Sequence, residues 1–292
     1  MSWTSTRTSG AAIPGLCAAL VAFCACASTE PVRLPPITET ATQLTLPGKF
    51  VWLDLVTGDL AVTKHFYGEL FGWKFEEDAD YLTVLHRGSP IAGVVLMDPD
   101  GAAKSSAWIG SLSVVDVDRA AEIVRAGGGA VERGPIDAVG RGRAALVRDP
   151  GGAHLMLLHA SSGDPPDVEP SMGGWLWREL WTRDATEALA FYGSLASYDE
   201  RPAAFDGYRY VVLEQAGRPR AAIVEAPMEK VDPLWLPYVR VEDPAAMVAR
   251  AGRLGATVIL QDEDAAILLD PSGAAFGVQR WSPKPDAGEA GQ

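Results

Sequence analysis

Cysteine is confined to the first 26 residues of this 292-residue chain, as Cys17, Cys24 and Cys26. The remainder can therefore form neither a disulfide framework nor a cysteine-based zinc site. Histidine is equally sparse: His65, His86, His154 and His159 are the four, so nothing beyond residue 159 can use imidazole as ligand or base. Positive charge is short as well. Twenty-five Lys and Arg against 38 Asp and Glu leave a net charge of −13, and no basic stripe gathers the cations. That excludes a nucleic-acid partner, since phosphate binding needs clustered Lys and Arg. A Gly-rich phosphate loop, a serine elbow and a cysteine nucleophile are all absent.

No apolar run reaches the roughly 20 residues of a spanning helix. The longest, Ala11 to Ala27, follows a short polar stretch and ends in small residues. That order matches a secretory signal over 1–27. Phe23-Cys24-Ala25-Cys26 resembles a bacterial lipoprotein box, with Cys26 as the lipidated residue; Ala25-Cys26-Ala27 also fits ordinary secretory cleavage. A misassigned start codon is the bland alternative. Residues 28–49 hold Pro31, Pro35, Pro36 and Pro47 among Thr and Glu, the composition of an extended, flexible tether. Export to the cell envelope, with a lipid as the membrane contact, is the expectation, and free secretion or a soluble periplasmic protein is the alternative.

What the chain has in plenty is repetition. Trp52-Leu-Asp-Leu-Val-Thr-Gly-Asp59 with Phe66-Tyr67-Gly68 returns as Trp177-Arg-Glu-Leu-Trp-Thr-Arg-Asp184 with Phe191-Tyr192-Gly193, at a constant offset of 125. Phe50–Val56 alternates like a strand, and Leu60–Phe71 carries a helical apolar pattern between an N-cap at Asp59 and a stop at Gly72. Strands are expected at Tyr81–His86 and Ile91–Met97, around the turn 87–90. A further unit follows: strand Trp108–Val115, helix near 118–126, a Gly127–Gly129 cap, and strands Arg143–Arg148 and His154–His159 joined by Asp149-Pro-Gly-Gly152. Leu234–Val241 and Asp270-Pro-Ser-Gly273 answer these in the second half. The body thus divides into residues 50–160 and 175–281, joined by a Gly-, Pro- and Asp-rich linker over 161–174, with a loose tail at 282–292.

These motifs resemble the vicinal oxygen chelate superfamily of glyoxalases, bleomycin-binding proteins and extradiol dioxygenases, over residues 50 to about 281. The resemblance implies an α+β fold. It would have two tandem glyoxalase-like domains, each of two βαβββ modules forming a cup-shaped mixed sheet with helices outside. It also implies where metal ligands would sit. Those places hold Trp52, Ile109 and Met156 in the first domain, and Trp177, Leu236 and Gly277 in the second. None supplies an oxygen or nitrogen donor to a hard or borderline cation. No metal and no other cofactor is therefore expected, and the parallel is with the drug-binding members.

The candidate site residues follow from strand parity. Trp52 shares a face with Asp54, and Trp177 with Glu179. Either pair suits a ligand-binding floor on which an indole stacks and a carboxylate orients a cationic or hydrogen-bonding group. Asp54 or Glu179 could also serve as the base of a metal-independent lyase or isomerase. The competing reading is structural: Trp as core, the acid paired with an arginine. Arg240 shares a strand face with Tyr238 and is the candidate partner for Glu179. Ligand-binding candidates are thus Trp52, Asp54, Trp177, Glu179, Tyr238 and Arg240. His65 faces solvent or packs its ring against the sheet, His86 reads as a surface residue, and His154 and His159 point to opposite faces. A small-molecule ligand is the expected partner, a homodimer is open, and a degenerate enzyme kept as an envelope interaction module is a third reading.

Overall fold

Among the described residues there are four helices, and each begins on an aspartate. The computed structural model describes residues 32–78, 81–96, 106–205, 207–226 and 232–281. The proposed signal over 1–27 with Cys26, residues 28–31 and the tail over 282–292 lie outside that set. Asp59, Asp116, Asp184 and Asp243 each accept a hydrogen bond from a first-turn amide at 2.9–3.0 Å. A side-chain cap of this kind satisfies one of the orphan amides of a helix start and is worth about 1 kcal/mol. The repeated aspartates are therefore fold devices. Thr57 and Thr182, also in register in the repeat, accept from the amides of Asp59 and Asp184.

Each helix belongs to one βαβββ module. The first module is β1 (Phe50–Thr57), α1 (Leu60–Phe71), β2 (Lys74–Asp78), β3 (Tyr81–His86) and β4 (Ser89–Leu96). The second is β5 (Ala107–Ser113), α2 (Val117–Ala126), β6 (Ala130–Ala138), β7 (Gly142–Arg148) and β8 (His154–Ala160). The third comprises β9 (Trp175–Thr182), α3 (Ala185–Leu195), β10 (Asp199–Phe205), β11 (Tyr208–Gln215) and β12 (Arg218–Glu225). The fourth comprises β13 (Leu234–Val241), α4 (Pro244–Arg253), β14 (Thr257–Gln261), β15 (Ala265–Leu269) and β16 (Ala275–Arg280). Modules pair into two eight-stranded mixed sheets, ordered β2-β3-β4-β1-β5-β8-β7-β6 and β10-β11-β12-β9-β13-β16-β15-β14. The first strands of paired modules, β1 with β5 and β9 with β13, join antiparallel at the centre.

The outer faces of the sheets and the helices share two cores that cross between domains. One joins Leu112, Val124 and Leu155 to Leu180, Phe191 and Ile223; the other joins Leu55, Phe66 and Leu70 to Val239, Leu268 and Phe276. A reciprocal relay ties them. Trp108 Nε1 donates to the Tyr67 hydroxyl at 2.8 Å, which donates to Asp270 Oδ2 at 3.0 Å. Trp235 donates to Tyr192 at 2.8 Å, which donates to Asp149 at 2.9 Å. The Phe-Tyr and Asp-Pro-x-Gly motifs of one domain thus clasp the other. Both aspartates are buried, which raises their pKa values.

One expectation fails here. The segment over 28–49, read from composition as a flexible tether, is packed from residue 32 onward. Leu34 N donates to Val139 O, and Ile37, only 3% exposed, lodges against Trp52, Ala144 and Leu158. Thr42 bonds Ser162 and Asp164, and Lys49 bonds Pro165 and Pro166. Its prolines remove donors that an extended strap does not need, while its few apolar side chains find cover on the first sheet.

Candidate functional site

The inner faces of the two sheets carry the same kind of triad, a Trp, an acid and a Tyr. In the first domain Trp52 and Asp54 lie on β1, and Tyr81 reaches them from β3. Tyr81 donates to Asp54 Oδ1 at 2.6 Å, and Trp52 Nε1 donates to both Tyr81 and Asp54 at 3.0 and 3.1 Å. In the second, Trp177 and Glu179 lie on β9, with Tyr210 from β11. Tyr210 donates to Glu179 Oε1 at 2.7 Å, and Trp177 Nε1 donates to Tyr210 at 3.2 Å. Tyr81 and Tyr210 are missing from the sequence candidates. Register relates them: Thr83 pairs with Gly93, itself opposite Asp54, as Val212 pairs with Ala222, itself opposite Glu179. A Cβ on Gly93 would lie 1.7 Å from the Tyr81 hydroxyl, so that phenol depends on glycine there.

Beyond the shared triad the sites diverge. In the first, Arg141 places Nη1 3.6 Å from Asp54 Oδ2 and donates from Nη2 to Tyr81 at 2.8 Å. Its guanidinium lies over the Trp52 and Tyr81 rings, at 4.9 and 5.5 Å, and its Nε donates to Pro35 O in the strap. Burial raises the Tyr81 phenol, the charge of Asp54 adds to this, and Arg141 opposes it. With Ile37 packed on it, the Trp52 indole is covered, whereas the Asp54 side chain stays 16% exposed beside Arg141.

Among the described residues no cation pairs with the acid of the second cup. Tyr238 donates to Glu179 Oε2 at 2.8 Å and Trp181 Nε1 at 3.3 Å, so both oxygens are held by uncharged donors. Glu179 is only 5% exposed, and burial raises its pKa against the lowering effect of those donors. Trp177 and Tyr210 remain half-buried at the lip, beside Leu234 and Leu260. Arg240 is not the expected partner. It bonds Glu169 at 2.7 Å and Pro170 in the linker, and lies over Trp281. Parity placed it on the right face, but its position at the end of β13, with its amide on Gly174 O, turns it toward the linker.

The structure also tests whether the positions implied for a metal could hold one. Trp52 stands opposite Ser111, which pairs with Met156; Trp177 stands opposite Tyr238, which pairs with Gly277. Ile109 and Leu236 stand opposite Asp54 and Glu179. The six positions gather on the two inner faces, and their side chains do not fit a hard or borderline ion. At Gly277 the space is taken: a Cβ there would meet Tyr238 Cδ1 at 2.2 Å. Among the described residues no group of three or more His, Cys, Asp or Glu side chains comes together.

The histidines take no part in either triad. His65 is exposed, His154 pairs with Glu132, and His159 meets Val114 O. His86 departs from its surface reading: it is half-buried, its Nε2 is shut from solvent without a partner, and it packs against Gly173.

Comparison with known proteins agrees with this architecture. Residues 49–170 match the Glyoxalase/Bleomycin resistance protein/Dioxygenase superfamily, and residues 179–279 match the Glyoxalase-like domain. "Putative glyoxylase CFP32" of Mycobacterium tuberculosis is 31% identical over 80% of this chain and 95% of its own length. The anthracycline biosynthesis protein DnrV of Streptomyces peucetius is 29% identical over 80% and 93%. Among solved structures, the Mn(II)-bound glyoxalase of Novosphingobium aromaticivorans superposes with a TM-score of 0.55 at 16% identity, covering 81% of this chain and 83% of that one. The 2,2',3-trihydroxybiphenyl 1,2-dioxygenase of Sphingomonas wittichii reaches 0.56 at 14%, covering 84% and 94%. At such identities these two share the fold. The chain belongs to the glyoxalase/bleomycin resistance protein/dioxygenase superfamily.

Proposed function

We propose that this protein binds a small molecule without a metal, in the cup of its second domain. The observation that carries the reading is Glu179. It is a buried carboxyl held by two phenols and an indole, on a face where the positions of a metal site are Trp177, Leu236 and Gly277. Half-buried Trp177 and Tyr210 offer stacking surfaces at the lip, and Glu179 behind them orients a hydrogen-bonding or cationic group. A planar aromatic ligand suits that lip, and the relatives named for anthracycline biosynthesis support the choice. The first cup, where Ile37 covers Trp52 and Arg141 pairs with Asp54, acts as a structural counterpart. Titration calorimetry with an anthracycline, after exhaustive chelation, tests this. Saturable binding that Trp177→Ala reduces at least tenfold is expected; binding that requires an added metal ion would refute it.

The raised pKa of Glu179 favours a second reading, a metal-independent lyase or isomerase in which this carboxylate is the base. A carboxyl shifted upward is a stronger base than an ordinary one. Turnover of an electrophilic substrate that survives chelation and vanishes in Glu179→Gln would establish it. Asp54, the other candidate base, is paired with Arg141 and hydrogen-bonded by Tyr81 and Trp52, and suits the role less. Export and lipidation at Cys26 complete the proposal, supported by the order of polar, apolar and small residues over 1–27. An acyl mass on Cys26, lost in Cys26→Ser, is the expected result in the native host. A homodimer is compatible with this reading, because each cup is built within one chain.

A further inference from the structure

A cleft of about 1180 Å³ opens between the domains where β1 and β9 begin, walled by the strap, the linker and the β3–β4 turn. Its lining is unlike the rest of the protein. Five cations and three carboxylates face it, in a chain of net charge −13. Asp167 alone is shared by Lys49, Arg218 and Arg220. Four buried side-chain polar atoms lack a hydrogen-bond partner among the described residues, and three of them, His86 Nε2, Arg178 Nε and Arg220 Nε, belong to residues that line this cleft. Buried donors are almost always satisfied, so such a concentration marks a place where something else supplies acceptors.

Arg178 is the sharpest case. It leaves β9 on the face opposite Glu179, and it has no carboxylate within ion-pair distance among the described residues. One nitrogen donates to Trp177 O at 2.8 Å, and the guanidinium lies 5.2 Å over the Trp175 ring. Burial pushes its pKa down with nothing to oppose the shift. Arginine nevertheless remains charged at neutral pH, so the folded protein carries a half-buried cation with no counter-ion among the described residues. Water could fill the cleft but would not neutralise that charge. A planar oxyanion would, because a carboxylate or phosphate accepts two parallel bonds from the guanidinium fork.

We propose that this cleft is an oxyanion-binding site in which Arg178, stacked on Trp175, receives the carboxylate or phosphate of a small organic anion. Arg220, whose Nε is also unsatisfied, is the second anchor, and the indole of Trp281 supplies apolar wall. Arg178 lies on the face of β9 opposite Glu179, although the inner-face residues Trp52, Trp177 and Tyr210 also line the cleft.

The test uses the full chain with benzoate and inorganic phosphate as probes, titrated by calorimetry at ionic strength fixed with sodium chloride. At least one probe is expected to bind saturably at a single site in the millimolar range or tighter, and the one preferred tells carboxylate from phosphate recognition. Arg178→Met should raise that dissociation constant at least tenfold while its melting temperature holds or rises, because a half-buried charge without an ion-pair partner among the described residues has been removed. Arg178→Lys, which keeps the charge but loses the fork, should fall between the two. Saturable binding by neither probe would overturn the proposal, as would binding that survives in Arg178→Met.

Discussion

The two cups begin from one pattern, a Trp and an acid two residues apart on one strand, joined by a Tyr from the third strand of the module. In the first, the acid is Asp54, paired with Arg141 under a strap pinned by Ile37. In the second it is Glu179, surrounded by Tyr210, Tyr238 and Trp181, with no cation paired to it among the described residues. The same kind of triad therefore has its indole covered and its acid salt-bridged in one domain, and its indole half-buried over a buried acid in the other. Register locates the cause. The place of Tyr238 is held in the first domain by Ser111, and the place of Arg141 is held in the second by Asp262, which turns its carboxylate to the amides of Asp264 and Ala265. Duplication kept the scaffold, and two positions decide which carboxyl is salted and which is caged.

The largest expected effect separates the indoles. Trp52→Ala should cost about 3–5 kcal/mol, because it empties a fully enclosed site and frees two hydrogen bonds. Trp177→Ala, at a half-buried position, should cost clearly less while abolishing ligand binding; chemical denaturation and calorimetry read the two. Next, Arg141→Met leaves Asp54 without its cation and should cost about 3 kcal/mol, as expected for breaking a largely buried pair. The double variant with Asp54→Asn should recover most of the loss, a coupling that a thermodynamic cycle measures. Neither should change ligand binding in the second cup.

Smaller effects probe the clasp and the titration. Tyr67→Phe and Tyr192→Phe each orphan one buried aspartate oxygen and should cost about 1–3 kcal/mol. Near-equal losses would verify the pseudo-symmetry of the relays, and unequal ones would break it. Glu179 holds its proton above the ordinary glutamate value of 4.5. Folding then takes up a proton, so this contribution is whole below the ordinary value and is lost as pH rises through the raised one. Glu179→Gln should flatten that stretch of the stability curve relative to wild type. Asp149 and Asp270, raised in the same sense, contribute equally to both curves and cancel in the difference.

Much of the scaffold was legible because it rests on local rules. The bounds of α1 follow from Asp59 and Gly72, β3 and β13 follow from alternation and turn residues, and the repeat supplied the pairing of modules. The Trp–acid pairs were legible for the same reason, since a period of two places them on one face. The rest of each site depends on contacts across the chain that no local pattern encodes. Tyr81 meets Asp54 only through the register of β3, β4 and β1, and Arg141 arrives from a turn 87 residues beyond Asp54 in sequence. Arg240 shows the opposite failure: its face was right, but the end of a strand beside the linker gave it another carboxylate. Proline-rich composition suggested a loose segment over 28–49, whereas the few apolar side chains that hold it, Ile37 above all, are too sparse to register as a pattern. His86 looked like a turn residue and is half-buried by the linker that packs against it.

The most direct test is a crystal structure of the protein grown with an anthracycline and an excess of chelator. Electron density for the ligand against Trp177 and Tyr210, with Glu179 within hydrogen-bond reach, Ile37 still on Trp52 and Arg141 still paired with Asp54, is the predicted result. A ligand lodged on Trp52 instead, or an ion coordinated by protein atoms in either cup, would contradict the account.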